Sequence, residues 1–152
     1  MCGRVLVGQE GRLDAASAAM ARSPLPPVAD APGKPILGFL CAASMVRRDA
    51  FFGAGGFEPR FFLGGEEELL ALDLAARGWA LSYVPDIVVH HHPSPRRDAV
   101  RRGALLLRNA LWVAWLRRPL PDAIRQSAAV LARTSSRRER AAAVLAALRG
   151  SP

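Results

Sequence analysis

The stretch Gly55-Gly56-Phe57-Glu58-Pro59-Arg60-Phe61-Phe62-Leu63-Gly64-Gly65-Glu66-Glu67-Glu68-Leu69-Leu70 constrains this chain more than any other. Two glycine pairs bracket an aromatic loop, and the second pair hands three consecutive carboxylates to an apolar run. The pattern predicts a helix over 66–77, with acids at its positive end and Arg77-Gly78 closing it. A first-turn acid serves the helix dipole by about 0.3–1 kcal/mol. Three in a row, behind Phe61, Phe62 and two glycines that open space, exceed what capping requires. The cluster Glu66, Glu67 and Glu68 is therefore a candidate functional site, with plain dipole capping as the alternative.

A chain of 152 residues, 51% of them hydrophobic, suits a single core-forming unit with an appendage. Residues 1–92 carry eight Lys and Arg against ten Asp and Glu, whereas residues 93–152 carry thirteen Arg against three acids. A mildly acidic part is thus followed by a basic one, and the expected division is 1–95 and 96–152. Cys2 and Cys41 are too few for a disulfide framework or a zinc site. Cys41 falls in the apolar run Ile36 to Val46 and is expected to be a buried small hydrophobe. Met1 to Gly11 lacks the apolar core of a signal peptide, and Gly103 to Leu116, interrupted by Arg108 and Asn109, is too short to span a bilayer. The expected location is cytoplasmic.

Read in order, Arg4 to Gly8 is a short strand, and Ser23 to Pro35, with five prolines, is loop. Ile36 to Val46 is a candidate buried strand and Arg48 to Gly53 a short helix. After the acidic helix, Trp79, Leu81 and Tyr83 alternate into a strand that Pro85 is expected to break. Ile87, Val89 and His91 then share one face of a second extended segment. Asp98 to Leu116 reads as a helix, Pro119 stops it, Pro121 opens another, and Ser136-Arg137-Arg138-Glu139 is a capping box for a last helix ending at Gly150. The fold class is α/β: a mixed sheet with flanking helices, followed by a basic helical appendix.

From Gly38 to Arg48, through Gly55-Gly56-Phe57, Phe61-Phe62, Glu66-Glu67, Gly78-Trp79, Tyr83-Val84-Pro85 and His91, the chain resembles the C-terminal part of a family 2 glycosyltransferase catalytic domain. The order and spacing match over about residues 36–118. The resemblance implies a partial GT-A-type sheet and an inverting transfer of sugar from a nucleotide-sugar donor to an acceptor hydroxyl. It implies bacterial cell-envelope polysaccharide chemistry and a glycan or lipid-linked acceptor. Glu67 matches the Asp that usually serves as base and is one methylene longer, while Glu66 matches the motif's Glu. Gly56, Phe57, Arg60, Phe62 and Trp79 would line the acceptor side, and His91 would contact a divalent metal (Mg or Mn) or the diphosphate. Met1 to Asp14 resembles a middle strand of that domain.

The nucleotide-binding half of the family pattern has no counterpart in these residues, and no two aspartates stand two apart as a DxD motif requires. The resemblance therefore implies a truncated gene product, a start placed too late, or one half of a split enzyme that needs a complementing N-terminal half. No catalysis is expected from the chain unaided. The alternative is a non-catalytic remnant that binds a membrane or a protein partner.

The other residues divide between plain and functional roles. Arg60 could meet a phosphate, but an exposed turn arginine accounts for it. Trp79 and Tyr83 fit a half-buried strand as well as a sugar face, and at least one of Phe61 and Phe62 should pack inward. In His90-His91-His92, successive strand residues face opposite ways, so the three cannot ligate one ion from regular strand geometry. A metal module built on Glu66, Glu67, His90 and His91 lacks the local spacing of such sites. Trp112 and Trp115 beside Arg108, Arg117 and Arg118 suggest peripheral membrane contact through 98–118, at the inner face of the plasma membrane. A solvated arginine face explains the same charge, and no nucleic-acid module accompanies it.

Overall fold

In the computed structural model, which describes residues 1–94, 99–134 and 137–150, strand β1 (Cys2–Val7) is the axis of the first of two compact units. That unit comprises Met1–Gly56 and Leu70–Pro95; the second comprises Phe57–Leu69 and Arg96–Pro152. The architecture is mixed α/β, in keeping with the sequence reading. Gly8 to Gly11 turn β1 into β2 (Arg12–Leu13), an antiparallel partner in the register Leu6↔Leu13. On its other side β1 pairs in parallel with β4 (Ser82–His91), and β3 (Lys34–Pro35) closes the sheet antiparallel to β4, in the order β2-β1-β4-β3.

Helix α1 (Ala15–Ala21) supports β1 where β2 has ended. Its cap residue Asp14 donates its amide to the Val5 carbonyl at 2.9 Å, and the Val5 amide donates to Ser17 Oγ at 2.9 Å. A serine amid alanines is thereby explained: Ser17 is fully buried and satisfies a strand edge that has no neighbouring strand.

Pro85 does not break the strand as expected. β4 runs on through it as a bulge: Gly3 pairs with Val84, and the next residue, Arg4, pairs with Val88. Pro85 has no amide to contribute, so the ladder steps past Pro85, Asp86 and Ile87. The bulge comes so close to β1 that a Cβ on Gly3 would lie 2.6 Å from the Ile87 carbonyl oxygen. Gly3→Ala is expected to lower the unfolding free energy by about 2 kcal/mol, measured by urea titration; a loss under about 0.5 kcal/mol would show that the bulge yields without strain.

Ile36 to Val46 is not a strand. Only Ile36, Phe39 and Ala43 of this run are both apolar and buried, and the chain turns through a 3₁₀ segment at Cys41–Ala43. A continuous apolar run does not report its own period, and these buried positions are three and four apart rather than alternating. Cys41 is exposed, and the buried thiol is Cys2, whose Sγ accepts the Leu40 amide at 3.4 Å. Trp79 and Leu81 precede β4 instead of lying in it.

Helix α2 (Arg48–Gly53) and helix α3 (Glu66–Ala76) form where expected. Leu69, Leu70, Ala71 and Leu74 give α3 its buried face. It ends on Gly78, whose φ of +81° returns the Gly78 and Trp79 amides to the Ala75 and Leu74 carbonyls. The boundary between the two units falls within α3, after Leu69.

The second unit contains α4 (Ala99–Arg117), α5 (Leu120–Ala132) and α6 (Arg137–Arg149). Leu111, Val113, Ala114, Ala123 and Ala143 are buried, and the Trp112 indole donates to the Ala147 carbonyl at 3.0 Å. Pro119 caps α5 and Pro121 takes its second position, one later than expected; a proline is tolerated there because first-turn amides have no helical acceptor. The capping-box serine, Ser136, lies outside the described residues.

Candidate active-site loop

Residues 57–65 lead into α3 through a backbone that few sequences could adopt. Glu58 caps a 3₁₀ turn (Pro59–Phe61), accepting the Arg60 amide at 3.3 Å and the Arg60 guanidinium at 2.9 and 3.1 Å. The hydrogen bonds from Arg60 hold the Glu58 carboxyl below the usual carboxylate range. Arg60 is thus an exposed turn arginine with its charge already engaged.

The two phenylalanines part company. Phe61 is fully buried, its ring edge-on to Trp112 at 5.5 Å between centroids. Phe62 is 75% exposed, with φ +58° and ψ −51°. The Leu63 amide donates to the Phe61 carbonyl at 2.6 Å, which closes a γ-turn centred on Phe62. This turn is the strained form, costing about 1–3 kcal/mol for a residue with a side chain. Gly64 and Gly65 follow at φ +78° and +89°. A Cβ on Gly64 would run into the Leu106 side chain; on Gly65 it would lie 3.0 Å from both the Asn109 Cβ and the Phe61 ring.

The strain is held by α4. Asn109 is fully buried, and its Nδ2 donates to the carbonyls of Phe61 at 2.8 Å, Leu63 at 3.1 Å and Gly64 at 2.5 Å. Its Oδ1 accepts from Arg108 Nε at 2.9 Å, which fixes the amide's orientation. Arg108 Nη2 donates in turn to the Arg60 and Phe61 carbonyls at 3.1 and 3.3 Å, and the guanidinium lies 4.3 Å from the Trp112 ring centre. Burial pulls the Arg108 pKa below the ordinary arginine value. Four loop carbonyls thus accept from two adjacent α4 side chains, a set of interactions that spacing alone does not reveal. Its only sequence trace is the pair of polar residues interrupting an apolar run.

Glu66, Glu67 and Glu68 occupy the first turn of α3, and all three are half-buried. Glu68 forms an ion pair with Arg118 at 3.0 Å. One Glu66 oxygen, Oε2, is buried without a hydrogen-bond partner. Phe57, Arg60, Phe62, Glu66 and Glu67 therefore belong to one continuous loop and helix start.

Gly56, Trp79 and His91 belong to the first unit. Gly56, at φ +69°, approaches the Phe51 ring. Trp79 carries the Arg47 guanidinium 5.2 Å from its ring centre and lines a largely apolar cavity of about 660 Å³ with Met1, Phe39, Met45 and Leu74. His91 pairs with Val7 in the sheet, its carbonyl accepting the Gly8 amide at 3.0 Å, and is half-buried between exposed His90 and His92. Among the described residues no three His, Cys, Asp or Glu side chains converge to hold a metal ion. His91, which the resemblance assigns to a divalent metal, is in no such group. No helix among them is long and apolar enough to cross a membrane.

No family model matches the chain, and no solved structure does. Over 108 residues it is 32% identical to the N-acetylglucosaminyl-diphospho-decaprenol L-rhamnosyltransferase of Mycobacterium tuberculosis, in strains CDC 1551 / Oshkosh and ATCC 25618 / H37Rv. The match takes in 63% of this chain and 35% of the relative, so the chain spans about a third of the curated proteins it matches. Over those 108 residues the chain is a distant homologue of a bacterial rhamnosyltransferase.

Proposed function

We propose that this chain is the acceptor-side portion of a family 2 inverting glycosyltransferase, with Glu67 as its general base. The observation that carries the reading is the 32% identity to the mycobacterial rhamnosyltransferase. The strained loop that presents Phe62 just ahead of Glu66 and Glu67 supports it from an independent direction.

A sugar hydroxyl is a weak nucleophile at neutral pH, so the reaction needs a positioned carboxylate. The Glu67 carboxylate takes the hydroxyl proton as the acceptor oxygen bonds to the anomeric carbon. The bond from that carbon to the diphosphate breaks, and its electron pair leaves with the nucleoside diphosphate. Attack opposite the leaving group inverts the centre. Glu66 orients the acceptor or the helix start, and Phe62 offers an exposed ring to a sugar face. Nucleotide-sugar binding is assigned to polypeptide other than these 152 residues, and a divalent ion, where one is used, would be held there. By analogy with the relative's name, the acceptor is a saccharide on a polyprenyl diphosphate.

The test is transfer of labelled L-rhamnose, or another labelled sugar, from its nucleotide to a polyprenyl-diphosphate-linked N-acetylglucosamine. The chain is assayed alone and together with any polypeptide encoded immediately upstream that contains a DxD motif. Transfer is expected only from the combination. Absence of transfer from the combination, across nucleotide sugars, would leave the non-catalytic binding protein as the better reading.

A further inference from the structure

We propose that the corner between α4 and α5 is a docking surface for an anionic lipid bilayer. Four large apolar side chains stand out there: Trp115 at 57% exposure, Leu116 at 47%, Leu120 at 62% and Ile124 at 54%. They form one patch. Leu120, Ile124 and Ser127 are spaced to share a face of α5, and the Trp115 indole donates to Ser127 Oγ at 3.1 Å, which lays the ring along that face. Single exposed leucines are ordinary on a soluble surface, but a contiguous group on one helix corner marks an interaction site. Within the 98–118 segment the patch draws on the C-terminal end, and Arg108, Leu111, Val113 and Ala114 are buried.

The charge around the patch selects the occupant. Residues 99–150 hold eleven arginines against Asp122 and Glu139, so an excess of cations remains after Arg118 pairs with Glu68 at 3.0 Å. Arg117 and Arg125 flank the corner with exposed side chains, Arg117 donating to the Leu116 carbonyl at 3.0 Å and Arg125 pairing with Asp122 at 2.7 Å. A second copy of the same corner would bring cation against cation. Nucleic acid would meet aliphatic side chains at the patch centre, where it needs donors. An anionic bilayer accommodates both parts, with apolar side chains and an indole at the headgroup boundary and guanidinium groups among the phosphates. This surface does not depend on the transferase reading.

Flotation of the whole chain with phosphatidylcholine vesicles, with and without phosphatidylglycerol, tests it. The expected result is salt-sensitive binding to the anionic vesicles with a blue shift in tryptophan emission that Trp115→Phe removes. The double variant Leu120→Ser, Ile124→Ser should bind at least about tenfold more weakly, with its helical circular dichroism unchanged because both side chains are exposed. No binding of the parent chain to anionic vesicles would overturn the proposal, as would a double variant that binds like the parent. It would also be overturned if the parent binds no vesicles and sedimentation shows a dimer that the double substitution dissociates, since the patch would then join two copies.

Discussion

Glu67→Gln is expected to slow sugar transfer by roughly 10²–10⁴-fold while leaving the fold intact. Glutamine keeps the shape of the side chain and removes its capacity to accept a proton. In the first turn of α3 the charge lost from the helix dipole should cost about 0.3–1 kcal/mol of stability, and a melting curve separates the catalytic loss from unfolding. The measurement belongs on the enzyme complete with its donor-binding portion, comparing single turnovers of parent and variant at saturating acceptor. Turnover within a few-fold of the parent would remove Glu67 from the role, and Glu66→Gln would be next in line. Glu66 is the alternative because it shares the helix turn and half-burial of Glu67 and carries an oxygen buried without a partner.

Asn109→Leu should destabilise the second unit by about 3 kcal/mol. Leucine is close to asparagine in size, so the change leaves little cavity and isolates the hydrogen bonds. The carbonyls of Leu63 and Gly64 would lose the Asn109 donor and that of Phe61 one of its three, while Arg108 Nε would lose the Asn109 acceptor. Each buried group left unsatisfied costs about 1–3 kcal/mol. The local bonds from the Phe62 and Leu63 amides do not offset the strain of the γ-turn at Phe62, so the loop should relax even where the helices persist. Urea titration followed through Trp112, whose ring touches Phe61, reads the first effect. Amide exchange at Leu63 reads the second. A loss below about 1 kcal/mol with unchanged exchange would mean that Arg108 and the glycines hold the loop without Asn109.

The helices were legible wherever local chemistry decides. Acids at 66–68 and Gly78 place both ends of α3, and Pro119 separates α4 from α5 within a residue of the observed boundary. Ile36 to Val46 misled because an apolar run states only that something is to be buried, and three non-alternating residues met that need in a turn. Pro85 misled differently. Its missing amide rules out regular pairing, but whether the strand ends or bulges depends on what lies opposite, and Gly3 has no side chain to obstruct the bulge.

The candidate site divides along the same line. Its residue types, the glycines, the aromatic pair and the three glutamates, are adjacent in the chain, so their order and spacing suffice to pick them out and suggest a carboxylate chemistry. That Phe61 turns inward and Phe62 outward, and that Phe62 is held in a strained turn, depends on Arg108 and Asn109, more than 40 residues away in the chain. In the sequence those two are only polar interruptions of an apolar helix. Packing makes them donors to four loop carbonyls, because a buried carbonyl must find a donor and the Leu63 amide serves only that of Phe61.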